Sequence, residues 1–134
     1  MLKGPKKIKF KKVRKGKLLK FNYKSNNLTF GTVGLKAKNS GILNARQIEA
    51  ARKAIVRKNK KKIKIWIKVF PNVPVSAKST GVRMGKGKGQ FSHWIAKIKG
   101  GTLIFEISGA NVKALAKALK SGANKLPFKT LIFN

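Results

Sequence analysis

The sequence has 134 residues, of which 34 are Lys or Arg and 2 are Asp or Glu, so its formal net charge is +32 at pH 7. A compact domain with this charge repels itself, and we expect its normal partner to be a dense polyanion, with nucleic acid as the first candidate. Hydrophobic residues make up 42% of the chain, which is enough for one folded core. Because the sequence has no cysteine, a disulfide framework, a thiolate nucleophile and a cysteine zinc site are excluded.

Side chains suited to catalysis are scarce. Glu49, Glu106 and His93 are the entire stock of carboxylates and imidazole, and acid–base or metal chemistry needs such groups in sets. For Glu49 we predict an ion pair with Arg52 or Lys53 on one helix, and for Glu106 a cross-strand Lys partner. The composition therefore predicts no enzyme, no metal site and no cofactor.

Residues 1–27 form a basic arm in which Lys or Arg alternates with apolar residues, and we expect it to become ordered only against RNA. Residues 28–38 predict a strand, and a turn follows at 39–41. Asn44 then has the features of an N-cap, with Gln47 completing a capping box and helix formers continuing to about Lys58. The core face of this helix would carry Ile48, Ala51 and Ile55.

The second half of the chain alternates strand and helix signals. Strands are predicted at 63–70, 91–98, 102–108 and 128–133, with 91–98 and 102–108 paired as an antiparallel hairpin through Gly100-Gly101, and a loop over 75–90. A second helix begins near Asn111, with Val112, Leu115 and Leu119 inward and Gly122 either capping it or lying within it. The fold class is α+β: a two-layer sandwich with a mostly antiparallel sheet, two main helices, the basic arm (1–27) and a single domain (28–134).

Gly85 to Gly89 alternate glycine with lysine. The spacing fits neither the P-loop nor the dinucleotide fingerprint. Glycines let a backbone approach a phosphate chain closely and the lysines supply charge, although a flexible solvated loop is the alternative. His93 beside Trp94 could stack on a base, but a structural or surface histidine is the preferred interpretation. A basic arm, a basic helix and this loop favour recognition of RNA shape over reading of duplex sequence.

Five segments together resemble ribosomal protein sixteen of the bacterial-type large subunit. They are FGTVGLKA (30–37), NARQIEAARKA (44–54), KIWIKVFP (64–71), VRMGKGKG (82–89) and KLPFKT (125–130). Their order and spacing agree with the family over essentially the full length. The resemblance implies a structural protein bound to large-subunit rRNA near 5S rRNA and the central protuberance, beside A-site tRNA and neighbouring ribosomal proteins. It implies neither a membrane partner nor an independent homo-oligomer.

The resemblance also assigns roles to individual residues. The loop nearest tRNA and functional rRNA would be Arg83, Met84, Gly85, Lys86, Gly87, Lys88 and Gly89, and Arg83 is the arginine that some relatives hydroxylate. The rRNA contacts would be Lys6, Lys7, Lys9, Lys11, Lys12 and Arg14 of the arm, and Arg46, Arg52, Lys53, Arg57, Lys58, Lys60 and Lys61 of the first helix and the residues after it.

The sequence leaves two alternative functions and two alternative compartments. A DNA-compacting basic protein is the alternative function, and a membrane-active cationic peptide is disfavoured because no long amphipathic segment exists. The N-terminal residues lack the apolar stretch of a secretory signal and the pattern of an import peptide. With the abundance of Lys, Asn and Ile that AT-rich coding produces, this leads us to predict a mitochondrially encoded protein, the alternative being an AT-rich bacterium or a plastid.

Overall fold

The computed structural model describes residues 4–18, 21–22, 27–59, 63–109 and 111–134. It contains seven strands and two helices in this part of the chain. In chain order they are β1 (Val33–Ala37), β2 (Gly41–Asn44), α1 (Ala45–Lys58), β3 (Lys64–Ile67), β4 (Val73–Ala77), β5 (Gln90–Ile98), β6 (Leu103–Ser108), α2 (Val112–Ala123) and β7 (Thr130–Phe133).

The described strands form two antiparallel sheets. One sheet has four strands in the order β3-β6-β1-β7, and the other has three in the order β2-β5-β4. The α+β class predicted from the sequence is confirmed, with the strands divided between two sheets. The core is one cluster of buried residues that includes members of both helices and of β1 and β6, which are buried at almost every position.

Both helices begin where their capping residues predict. Asn44 precedes α1 in a capping box in which Gln47 Oε1 accepts from the Asn44 N–H at 2.9 Å, and Asn111 Oδ1 accepts from the Ala114 N–H at 3.2 Å. The predicted core residues of α1 are confirmed: Ile48, Ala51 and Ile55 are buried.

The second helix differs from its prediction at one position. Leu115 and Leu119 are buried as expected, but Val112, the first residue of α2, is 47% exposed. Gly122 lies inside α2, where an added Cβ would stand 2.6 Å from Ile55 Cγ1. The glycine therefore lets the two helices approach each other closely.

The predicted hairpin of 91–98 with 102–108 is wrong. Strands β5 and β6 exist but belong to different sheets, because β5 pairs with β2 and β4 while β6 pairs with β1 and β3. The connecting residues pair with β1 instead: the Gly101 N–H donates to Ala37 O at 2.7 Å, and the Ala37 N–H donates to Thr102 O at 2.9 Å. Five consecutive buried residues in β6 require a central position with both faces covered, which a hairpin partner at the edge does not provide.

Several predicted boundaries also need correction. The loop predicted over 75–90 spans 78–89, because residues 75–77 continue strand β4 and Gln90 begins β5. Pro74 indicates the end of a strand in the sequence, because proline cannot donate to a ladder. Strand β4 is an edge strand of its sheet, however, and proline is tolerated there. The strand predicted over 63–70 spans only Lys64–Ile67. Strand β2 begins at Gly41, the last residue of the predicted turn, and continues to Asn44.

Glu106 is a fully buried carboxylate in the centre of the four-stranded sheet. Its Oε2 accepts from the backbone N–H groups of Thr29, Phe30 and Gly31 at 3.1, 2.7 and 2.9 Å. Its Oε1 lies 3.3 Å from Lys68 Nζ, so the predicted Lys partner is confirmed. The carboxylate thereby fixes the chain that precedes β1. The ion pair predicted between Glu49 and Arg52 is also present.

Candidate nucleic-acid interface

The loop between β4 and β5 carries the predicted Lys-Gly segment into solvent. Gly85, Lys86 and Gly87 have φ values of 93°, 52° and 75°, and a Cβ added at either glycine would meet no atom within 4 Å. Residues 81–88 are all exposed. Glycine suits this left-handed turn because it has no Cβ penalty there, and the turn presents its lysines without neighbouring side chains to cover them.

Gly89 lies at the base of the same loop, where close packing rather than a positive φ requires glycine. A Cβ at this position would stand 2.4 Å from Ala77 O and 2.5 Å from Ala77 C, which are backbone atoms of the paired strand. Lys78 Nζ donates to Gly85 O at 2.5 Å and ties the tip of the loop to its base. The base of the loop is therefore tightly packed while its tip is open.

We expect Gly89→Ala to destabilise the protein by about 1–3 kcal/mol, because the two strands must separate to admit the methyl group. Urea unfolding of the variant measures this. Gly85→Ala is the comparison: it meets open space, so it carries only the cost of its positive φ, about 1 kcal/mol. A larger loss for Gly85→Ala than for Gly89→Ala would contradict this account of the loop.

The basic arm lies against this loop. Lys12 Nζ donates to Lys88 O at 3.1 Å, and Lys88 Nζ donates to Val13 O at 2.8 Å. Lys97 of β5 also donates to Lys15 O. Arm and loop thus form one cationic surface, in which like charges stand close together and favour a polyanion between or above them.

Further contacts fix the arm along strand β5. Gly4 lies directly on the Trp94 indole, since an added Cβ would be 2.3 Å from Trp94 Cδ1. Phe21 forms a parallel bridge with Gly100, and the Asn22 N–H donates to Gly100 O at 2.8 Å. These contacts place the described part of the arm against side chains of β5 and against the turn that follows it. Ordering of the arm by RNA stays a prediction.

Helix α1 presents the second group of predicted contacts. Arg46, Lys53, Arg57 and Lys58 are exposed. Arg52 is engaged with Glu49 through Nε–Oε2 at 3.0 Å and Nη2–Oε1 at 2.7 Å, and this hydrogen bond lowers the pKa of the Glu49 carboxyl. Lys60 and Lys61 lie outside the described residues. The predicted arm cations, Lys6, Lys7, Lys9, Lys11, Lys12 and Arg14, are also exposed.

A cavity of about 520 Å³ lies between the start of α1 and the part of β5 that follows the loop. Its walls are Asn44, Ala45 and Arg46 at the start of α1 and residues 91–94 of β5. His93 and Trp94 stand out in the sequence, but nothing there indicates that Phe91 and Arg46 are their neighbours. Only strand pairing brings these residues together, so the linear sequence held no direct signal for the cavity.

Other kinds of site receive no support within the described ranges. They contain no cluster of three or more His, Cys, Asp or Glu that could hold a metal ion. Nor does any helix there have the length and apolarity needed to span a membrane.

A basic α+β domain whose exposed cations lie on an arm, a helix and a glycine-rich loop defines a class of structural nucleic-acid-binding proteins. Residues 5–133 match the family described as ribosomal protein L16p/L10e, and the chain belongs to that family. It is accordingly a structural ribosomal component rather than an enzyme, and the predicted resemblance is confirmed.

The relatives are similar over most of their length. The large ribosomal subunit protein uL16 of Sinorhizobium fredii is 48% identical over 126 residues, covering 94% of this chain and 92% of the relative. The protein of the same name from Psychrobacter arcticus is 45% identical over 128 residues, covering 96% and 93%. That from Xanthobacter autotrophicus is 50% identical over 126 residues, covering 94% and 92%.

These relatives are bacterial proteins, and the mitochondrial assignment predicted from the sequence is therefore wrong. The comparison points to a bacterial ribosome. The prediction rested on an abundance of Lys, Asn and Ile together with few acidic residues. That composition accompanies AT-rich coding and carries no physical information about a compartment.

Proposed function

We propose that this protein is a constituent of the large ribosomal subunit that binds large-subunit rRNA near 5S rRNA and the central protuberance, and helps position A-site tRNA. The observation that carries the proposal is the joint cationic surface of arm and loop, held by the Lys12–Lys88 and Lys88–Val13 contacts. Family membership and the names of the bacterial relatives support the assignment to the large subunit.

The roles divide along the chain. The arm (1–27) is proposed as an extension that contacts rRNA, and the domain (28–134) as the rRNA-binding body. Residues 83–89 would face tRNA and the functional rRNA, because residues 83–88 are exposed and the left-handed turn at 85–87 is unobstructed. Exposed cations of α1 would contact rRNA and lie beside neighbouring ribosomal proteins. The protein orients RNA and contributes no catalytic group.

Sedimentation tests the assignment to the subunit. Lysate is separated on a sucrose gradient in high-salt buffer with Mg²⁺, and each fraction is probed for the protein. We expect it in the large-subunit peak, retained through the salt wash because many phosphate contacts act together. Recovery at the top of the gradient or with DNA would overturn the proposal and favour the DNA-compacting alternative.

The loop is tested by Lys86→Ala with Lys88→Ala in assembled ribosomes. We expect A-site tRNA binding to slow by about fivefold, the equivalent of about 1 kcal/mol of lost hydrogen bonding, and its dependence on salt to weaken. Stopped-flow binding of labelled aminoacyl-tRNA measures both quantities.

Lys113→Ala with Lys117→Ala is the matched control, since it removes the same charge from exposed positions on α2. We expect this control to bind tRNA at the rate of the unmodified ribosome. Equal slowing in both double variants would assign the effect to overall charge, and normal rates in the Lys86 and Lys88 variant would contradict the role of the loop.

A further inference from the structure

The cavity between α1 and β5 owes its shape to a bulge in β5. Val75 pairs with His93 and Ser76 pairs with Phe91, so Ser92 is an extra residue in the strand. Because an extra residue reverses the alternation of side chains, Phe91 and Trp94 project to the same face although they are three positions apart. Their ring centroids are 5.0 Å apart with an interplanar angle of 52°.

The strand edge beside this aromatic pair is open. Strand β2 pairs with residues 95–98 of β5 and gives way to α1 after Asn44. Among the described residues, 91–94 therefore pair with β4 alone, and the first residues of α1 form the opposite wall of the cavity. Arg46 stands on that wall and is exposed, and the first turn of α1 contains no acidic residue.

The lining combines an aromatic surface with a cation. Phe91 is 39% exposed, and Trp94 beside it is braced on another side by Gly4 of the arm. No residue of the lining is acidic, which disfavours a cation as occupant. The volume of about 520 Å³ is within the range of small-molecule sites and is large for a simple anion. A planar ring attached to a phosphate matches both features.

We propose that this cavity holds one unpaired nucleotide of ribosomal RNA, with its base stacked on Phe91 and its phosphate paired with Arg46. The inference deepens the proposed function and rests on it. Stacking on an aromatic side chain tolerates any base, so the site would select an extruded nucleotide by its accessibility rather than by its identity. It would fix the stem of the loop on the RNA and so orient the Lys-Gly turn.

The test uses large subunits assembled with the full-length chain carrying Phe91→Ala or Phe91→Leu, the second keeping apolar volume without the aromatic ring. Acylation of rRNA 2′-hydroxyls reports the mobility of each nucleotide. We expect one unpaired nucleotide to gain reactivity in both variants and in Arg46→Gln. Phe91→Ala should weaken binding to subunits depleted of the protein by about 5- to 100-fold.

Phe70→Ala is the matched control, since this ring is 46% exposed and lies outside the cavity. We expect it to leave both the acylation pattern and the affinity unchanged. If the Phe91 variants join the subunits with an unaltered pattern, or change only the occupancy of a neighbouring protein, the nucleotide site is overturned. If the unmodified chain does not join large subunits, the proposed function fails instead.

Discussion

Glu106→Gln is expected to lower the free energy of unfolding by about 3 kcal/mol. The substitution removes a fully buried charge, leaves Lys68 without its ion-pair partner, and weakens three backbone hydrogen bonds at once. Lys68 Nζ also donates to Thr29 Oγ1 at 3.1 Å and lies 4.8 Å from the centroid of the Phe30 ring, so residues 29–31 lose their anchor as well. Urea unfolding of the purified chain measures the loss.

The same carboxylate makes stability depend on pH. Burial raises the pKa of Glu106, but the N–H groups of Phe30 and Gly31, the Lys68 ammonium and the Thr29 N–H outweigh it, so the pKa lies below its usual value near 4.5. With a lowered folded-state pKa, the unfolded chain binds the proton first as pH falls. The stabilisation is therefore complete above about pH 4.5 and is lost as pH falls below that value toward the folded-state pKa.

Glu49→Gln is the matched control, because Glu49 is the only other acidic side chain. Its pair with Arg52 is partly exposed, with 17% of the Glu49 side chain accessible, so we expect a loss of less than about 1 kcal/mol. Glu106→Gln should remove most of the loss of stability with falling pH, and Glu49→Gln only a minor part. An unchanged acid profile in Glu106→Gln would show that the buried carboxylate does not anchor residues 29–31.

Phe105→Ala is expected to cost about 3–5 kcal/mol, since a large aromatic side chain is removed from a close-packed core. Phe105 is fully buried on β6, where its register partners are Leu35 of β1 and Ile67 of β3. Such a loss is comparable to the whole stability of a small domain, so the variant should be depleted from assembled subunits. Urea unfolding and quantitative mass spectrometry of subunits measure the two effects.

Phe70→Ala again serves as the control, with an expected change within about 0.5 kcal/mol because its ring is 46% exposed. The Phe105 variant also distinguishes the observed pairing from the hairpin predicted from the sequence. Because β6 lies between β1 and β3, Phe105 is part of the main core. In a hairpin at the edge of a sheet, its replacement by Ala would cost little stability. A loss below about 1 kcal/mol would favour the hairpin.

Local signals account for what the sequence predicted correctly about the elements. Asn44 with Gln47 and the spacing of Ile48, Ala51 and Ile55 fixed α1, because caps and a 3.6-residue period involve only neighbours in the chain. Strand β4 was missed because Pro74 is a breaker in a central strand and tolerable at an edge. Which of the two applies depends on the neighbouring strand rather than on the residue.

The candidate site divides in the same way. Exposure of the Lys-Gly turn followed from its composition, and the family followed from ordered motifs over nearly the whole length. The contact between Lys88 and the arm joins residues about 75 positions apart, and no periodicity encodes it. Phe91 and Trp94 lie on the same face of β5 because of a one-residue bulge. The sequence alone predicts a regular strand, in which side chains three positions apart lie on opposite faces.

The sequence by itself determined the strongly cationic character, the scarcity of catalytic groups, the helices and the ribosomal family, because each depends on residue types or on short-range spacing. The tertiary structure alone decided that β5 and β6 separate into two sheets, that Glu106 collects three backbone donors, and that Arg46 faces an aromatic pair. These are contacts between distant segments. They are set by which strands must be buried on both faces, a requirement of the whole fold that no segment shows alone.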